Sequence, residues 1–493
     1  MRKAITLLIV PAILVLTIIG CDLLDSSNVT NPNISEEEAL SNPNPLQRWM
    51  RGLEAQMVTT LNNTLLYTVF ATDNYENTQT FYNQEADDLN FLIDDSQINS
   101  MFFAQSELRE AALFGKEEVV PREESPNPDF VAELDFYLGM AHLFLGEHFL
   151  NAPLEGEGVP ASPEDHYAEA ISAFQDAIDS GNGDQTAYRL AQARAYYNDG
   201  NISEARARAQ EVLDADPEFL RLRETDPLDG PSNGLQTAMY DRETLNDLQP
   251  LPRLDFLDPK YGVAGAANDT PYVLLKAEEA HFILLEADLA ENNALADIQN
   301  RMKAIIDLAQ SRGTRAVDET GEGRLRESPD EGIDNWRPDR SEYVVRASED
   351  DPFREGLVLD RTANTQVPSV SGTSVTEEMV DDISDMDEAW EMYYLLRQEI
   401  FIAEGRRFVT FGLKLPLPEN ELLVNDNIDE ATAGEFVIPD FIPEPPRRMN
   451  AFTWIEEPED APRDERDVFQ ATVEVNMNRR LANNRESVSP FLP

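Results

Sequence analysis

The sequence predicts a mainly α-helical protein, built from helix pairs that stack into a scaffold and carry long, loop-rich insertions. Three observations predict it. Apolar residues recur at helical spacing from Leu46 to Leu66 and again from Ile98 to Leu113. One unit, "TAYRLAQARAYYNDGNISEARARAQEVLDADPEF" over Thr186–Phe219, places small residues and a glycine where two antiparallel helices need them. Two further stretches, about 130–179 and 271–312, repeat the two-helix plan, and polar segments without period separate the elements.

The chain starts with Met1, Arg2 and Lys3, runs through apolar residues from Ala4 to Ile19 and reaches Gly20, the pattern of an export signal. The run is shorter than the roughly 20 residues that span a bilayer, and Pro11 weakens a helix there. Cys21 is the only cysteine in 493 residues. Its place directly after Ile18, Ile19 and Gly20 resembles the lipobox of bacterial lipoproteins; the alternative is a buried structural thiol. The resemblance implies residues 1–20 as a lipoprotein signal peptide, acylation of Cys21, and residues 21–45 as a lipidated tether with a short capped helix over Ser35–Leu40. Several acyl chains then anchor the protein stably where one would not.

With 94 acidic and 39 basic residues the formal charge is −55, and loss of Arg2 and Lys3 with the signal takes it to −57. Nucleic acid and anionic membrane surfaces are poor partners for such a chain. Lysine is scarce: Lys3, Lys116, Lys260, Lys276, Lys303 and Lys414 are all there are. Many carboxylates with few lysines read as adaptation to a salty medium, the alternative being a merely acidic surface protein. On the first reading the melting temperature rises between about 0.1 M and above 1 M salt, as the Debye length falls to about 3 Å; a flat or falling curve in differential scanning calorimetry would contradict it. With 41% hydrophobic residues and 23 Phe the chain can bury a large core.

The Thr186–Phe219 unit looks like a tetratricopeptide repeat. Ala193 and Ala205 let two helices approach, Gly200 ends the first in the left-handed conformation, and Pro217 stops the second. A second pair, "FYLGMAHLFLGEHF" and "HYAEAISAFQDAI", has Leu150–Asp165 inserted in its turn. The third is "PYVLLKAEEAHFILLEADLAENN" with "ALADIQNRMKAIIDLAQSRG". An acidic, loop-like insertion follows over about 315–380, and a C-terminal part runs from 381 to 493.

Five segments, in order, resemble the SusD/RagB family. They are the start "CDLLDSSNVTNPN" with Leu24 and Asp25; "HLFLGEHFLNAPL"; "YVLLKAEEAHFILLEA" with Ala277, Glu278, Glu286 and Ala287; "LLRQEIFIAEGRRFVTFGLK" with Glu404, Gly405 and Arg407; and "LPLPENELLVN" with Pro416, Pro418 and Glu421, which matches the family's closing strand. Ile400 stands where the family carries an acid four residues before Glu404, and Thr410 where it carries Asp. The resemblance implies a divergent member: one SusD-like domain over 46–493, a right-handed superhelical scaffold, and an outer-membrane lipoprotein, cell-surface exposed. Such a protein binds oligosaccharides, or in some kin peptides, and delivers them to a TonB-dependent SusC-like barrel. It implies no enzyme activity and no cofactor.

Sugar binding needs flat aromatic faces against apolar sugar faces, with amides or carboxylates for the hydroxyls. The polar loop at 71–90 offers Asp73, Asn74, Tyr75, Phe81, Tyr82 and Asn83, and the insertion offers Trp336, Arg337 and Tyr343. Tyr75, Tyr82 and Trp336 lead, because their neighbours are polar and their segments lack period. Carboxylate pairs such as Asp87-Asp88 or Asp381-Asp382 could serve glycoside hydrolysis, but so many acids produce such pairs by composition alone. His142, His148, His166 and His281 lie on or beside repeat helices with no metal-binding spacing, and packing is their expected role. A scaffold lipoprotein for outer-membrane assembly would share the anchor and the repeats.

Overall fold

The computed structural model describes residues 44–77, 84–241, 248–262, 269–318, 341–360, 365–444, 448–457, 461–462 and 468–492. The signal segment, Cys21, the tether and its short helix lie outside them. Helix α1 spans Pro45–Phe70, opened by a proline whose missing N–H costs nothing in a first turn. Leu46, Met50, Leu53, Met57, Leu61 and Leu65 put its apolar stripe into the core. Strand β1 (Tyr75–Asn77) follows, then α2 (Ser96–Phe114), whose capping Asp95 accepts from the Gln97 N–H at 2.7 Å. Helix α2 continues as a π-helical turn over Gly115–Val119.

The three expected pairs are present. The first joins α3 (Pro128–His148) to α4 (Pro163–Asp179), which starts in a capping box between Ser162 and Asp165. A Cβ on Gly139 would lie 2.5 Å from the Phe174 ring, so glycine is what lets the two helices touch. The second joins α5 (Gln185–Asn198) to α6 (Ile202–Ala215). Ala193 and Ala205 are fully buried between neighbours, and Gly200 takes φ +74° at the end of α5. After β2 (Leu220–Arg223) and β3 (Leu248–Pro250), the third pair starts later than its sequence predicts. Tyr272–Lys276 is strand β4, paired antiparallel with β2, and only then come α7 (Ala277–Ala290) and α8 (Leu295–Ser311). The five residues of β4 are all buried, and an unbroken apolar run has no period by which to tell strand from helix.

The insertion at 315–380 is less loop-like than its composition. Strand β5 (Thr314–Val317) pairs antiparallel with β7 (Thr365–Pro368), and between them in sequence β6 (Val344–Arg346) pairs in parallel with a distant C-terminal strand. That strand is β9 (Val468–Val473), which also takes β8 (Phe452–Glu457) antiparallel on its other side. Helix α9 (Met386–Ile400) packs on α7 and on α11. The expected closing strand at "LPLPENELLVN" is instead α10 (Glu419–Val424), started by Pro418, with pairing confined to bridges from Lys414 and Leu415. Helix α11 (Met477–Asn483) lies near the end of the described chain. One hydrophobic cluster reaches from Leu46 to Ala482, and a smaller one under β6 and β9 holds Tyr343, Val345, Leu357, Val358 and Ala471.

Charged groups also knit the interior, and the Glu404-Gly405-x-Arg407 segment is their hub. Glu404 receives the ammonium groups of both Lys260 and Lys276, all three residues being at most 3% exposed. Gly405 takes φ +73°, and a Cβ there would come within 3.0 Å of Leu65. Arg406 grips Glu279, and Arg407 makes a two-pronged contact with Asp73 at 2.6 and 2.8 Å. Lys414 closes the C-terminus of α3 by donating to the carbonyls of Gly146 and Glu147.

Candidate functional site

The residues that sequence reasoning put forward divide sharply. Asp73, Asn74 and Tyr75 lie together at the start of β1 and are at most 2% exposed. Burial works against the Asp73 carboxylate, but Arg407 and Arg253 beside it hold its pKa below the usual range. Asn74 accepts from Gln398 at 2.9 Å, and Tyr75 pairs across β1 and β3 with Pro250. Tyr343 is also fully buried, its hydroxyl donating to Glu456 and its ring 5.3 Å from that of Phe469. These four therefore build the frame and offer no face to a ligand, a correction to their reading as contact residues. Phe81, Tyr82, Asn83, Trp336 and Arg337 lie outside the described residues, as does Cys21.

An open groove of about 1120 Å³ lies elsewhere, between α1, α2, the loop at 150–161 and α10. Trp49, half-buried on α1, and Phe114, on the last turn of α2, line it with their rings packed against each other, centroids 4.9 Å apart and tilted by 32°. The indole is held in place, because its Nε1 donates to the Ala111 carbonyl at 2.9 Å. Gly115 makes room: a Cβ there would lie 2.9 Å from the indole nitrogen and 2.6 Å from Leu134. The π-helical turn that begins at this glycine thus lets α2 pass the ring. Phe103 extends the aromatic surface, its ring 5.8 Å from that of Phe102.

The rim is polar. Gln56 donates to the Ala104 carbonyl at 3.1 Å and to Glu107 at 3.2 Å, which fixes an amide and a carboxylate side by side. Arg109, only 3% exposed, pairs with Glu110 at 2.9 Å and donates to the Pro153 carbonyl, tying α2 to the loop. From the other side Asn425 and Asn427 donate to the carbonyls of Gly158 and Glu157 at 2.9 and 2.7 Å. The stretch inserted into the turn of the first helix pair is therefore a built wall. Aromatic rings below and amide and carboxylate groups above suit a neutral, polyhydroxylated chain. The volume exceeds the roughly 300–1,000 Å³ of ordinary small-molecule pockets.

Sequence reasoning missed this lining because Trp49 and the α2 phenylalanines fall on a helical apolar pattern and read as core. One signal was available. Phe102 and Phe103 are adjacent, and neighbours about 100° apart cannot both sit at the centre of one apolar stripe; Phe103 is the half-buried one and lines the groove.

Three of the four paired carboxylates hold structural partners. Asp87 is buried, accepts from Asn450 at 2.6 Å and has its pKa raised by that burial to about 7, while Asp88 meets Arg448 at 2.6 Å. Asp381 takes Lys303 at 2.6 Å. Asp87 does not line the groove. His142, His148 and His166 are buried in packing contacts. Among the described residues no group of three or more His, Cys, Asp or Glu side chains is placed to hold a metal, and no helix is long and apolar enough to cross a membrane.

No protein-family model matches the sequence, and no curated protein does. Solved structures do match the fold. A SusD superfamily protein of Bacteroides fragilis superposes with a TM-score of 0.51 at 14% identity, over 79% of this chain and 99% of that one. A SusD superfamily protein of Bacteroides thetaiotaomicron gives 0.49 at 12% identity, over 78% and 98%. A SusD-like carbohydrate-binding protein of Bacteroides vulgatus gives 0.45 at 10%, over 91% and 96%. The chain is similar in fold to the SusD superfamily, predominantly helical with small peripheral sheets.

Proposed function

We propose that this protein is a lipid-anchored, cell-surface-exposed outer-membrane protein that binds an oligosaccharide in the groove between α1 and α2 and passes it to a TonB-dependent SusC-like barrel. The observation that carries the binding reading is the fixed Trp49–Phe114 ring pair beside a rim of amide and carboxylate groups. The SusD-like fold supports it, and the placement of Cys21 behind an export signal supports the anchor.

The test is calorimetric titration of the purified protein with a panel of neutral oligosaccharides of increasing length. Affinity is expected to rise with chain length, with no release of smaller sugars. Trp49→Ala removes a stacking face worth about 1 kcal/mol beyond area, and so weakens binding by roughly tenfold when lost contact area is added. Glu107→Gln, on the exposed rim, costs a smaller factor and leaves the fold untouched. Unchanged affinity in Trp49→Ala would remove the groove as the site.

A further inference from the structure

The short helix α10 has its polarity reversed. Glu421 faces inward at 6% exposed and accepts from the Asn425 side chain at 3.0 Å, while Leu423 and Val424 stand outward at 73% and 62% exposed. Of its apolar residues only Leu422 packs towards the core. Three hydrogen bonds hold the helix this way: the Glu419 N–H donates to the Ile93 carbonyl at 2.7 Å, Asn420 to Asn99 at 2.8 Å, and Asn425 to the Gly158 carbonyl at 2.9 Å. Turning Leu423 inward would break them.

More exposed apolar residues stand beside these anchors. Leu92 precedes Ile93, Val159 follows Gly158, and Phe436 sets its ring edge-on to that of Phe91, with centroids 5.9 Å apart. With Leu423 and Val424 they are five of the eight large apolar residues exposed among the described residues. Single exposed apolar residues are ordinary on a surface, but such a gathering marks a face that meets another molecule.

The surroundings carry one sign. Asp94, Glu157, Glu419, Asp426 and Glu435 are exposed, flank these side chains along the sequence, and pair with no cation among the described residues. Residues 84–95, 150–161 and 415–440, which build the face, hold no lysine or arginine. The basic groups that reach these segments from elsewhere are engaged: Arg448 meets Asp87 and Asp88, Lys414 donates to the Gly146 and Glu147 carbonyls, and Arg109 is buried against Glu110. Arg48 on α1 lines the groove and has no partner among the described residues, and one such cation leaves the balance negative.

That sign selects the occupant. A second copy of this chain would set an identical acidic rim against this one, and a surface of anionic lipid would be repelled in the same way. A protein surface with an apolar centre and a rim of lysine and arginine matches both features at once. We infer that the α10 face docks a protein partner of that chemistry. Because Glu421 and Val424 also line the groove, the partner sits at the groove's edge. The docking face does not depend on what the groove holds.

In the experiment, the photo-crosslinker p-benzoylphenylalanine replaces Leu423 in the full chain in its native cells or, as a control, Leu228, which is 72% exposed outside this face. Light is expected to join position 423, and not 228, to one partner protein, through a stretch in which apolar residues are flanked by lysine or arginine. With that partner purified, Leu423→Lys is expected to weaken binding at least tenfold, while Leu228→Lys, which changes the net charge equally, leaves it unchanged. Binding by the parent is expected to weaken as salt rises from about 0.05 M to about 0.5 M. Leu423 does not line the groove, so the melting temperature and any oligosaccharide affinity stay as they were. Adducts of position 423 with a second copy, with the chain's own N-terminal segment or with lipid would overturn the docking face. So would no adduct, an equal one at 228, a partner stretch without basic residues, or undiminished binding in Leu423→Lys, and none of these results touches the groove.

Discussion

Replacing Glu404 with glutamine is expected to destabilise the fold by about 3–5 kcal/mol, the cost of removing one partner from a buried ion pair. Here the loss strands two cations. Lys276 keeps the Ile400 carbonyl at 2.7 Å and the Ser371 hydroxyl at 3.0 Å, but among the described residues the Lys260 ammonium has Glu404 as its one polar partner. Burial already pulls the Lys260 pKa down to about 7 against the pull of Glu404. Without that carboxylate the folded state favours neutral Lys260 still more. A lysine with a lowered folded pKa contributes its stability above the unfolded value and loses it as pH falls through the folded one. The penalty in Glu404→Gln is therefore expected to be largest near pH 6 and to shrink towards pH 10. Urea denaturation at both pH values measures it, and an unshifted midpoint at pH 6 would contradict the hub role of this segment.

The second large effect is acid sensitivity from buried neutral histidines. Burial lowers the pKa of His142 to about 3 and of His148 and His166 to about 4. The His166 Nε2 lies 2.9 Å from the Ala152 carbonyl, so it donates there, and its Nδ1 is left to accept from the His142 Nδ1–H at 3.1 Å. A second proton on His166 falls on the accepting Nδ1 and breaks that contact, while the charge that a second proton brings to His142 is opposed by its burial. Because the unfolded histidines titrate near 6.5, their contribution is full above pH 6.5 and is lost as pH falls through about 4. For His148 alone the change is about 3 kcal/mol. Acid also relieves repulsion among carboxylates, so the test is a difference. The stability of His148→Gln is expected to fall less steeply than that of the parent between pH 6.5 and 4, and parallel curves would contradict it.

Much of the scaffold is legible in the sequence because its causes are local. Ala193, Ala205 and Gly200 sit where two close helices and a left-handed stop require them. The fate of the 71–77 segment is not local. Asp73 is polar in a polar loop, and only the fold brings Arg253 and Arg407 to it from 180 and 334 residues away. The same holds for Tyr343, whose partner Glu456 is 113 positions on. "YVLLK" has no period to declare itself a strand, and Pro418 starts a helix where the segment resembled a strand. The groove was hidden differently. Each of its aromatics fits a core pattern, and only the close pass of Gly115 against Trp49 and the wall built from the inserted turn leave the rings facing open space.

The central claim, that the α1–α2 groove holds an oligosaccharide, is tested most directly by a crystal structure of the protein with a neutral oligosaccharide that calorimetry shows to bind. The account predicts density for successive sugar rings in this groove, with one ring lying on Trp49 and hydroxyls within hydrogen-bond distance of Gln56 or Glu107. Ordered sugar elsewhere on the molecule, with the groove filled only by water, would contradict it.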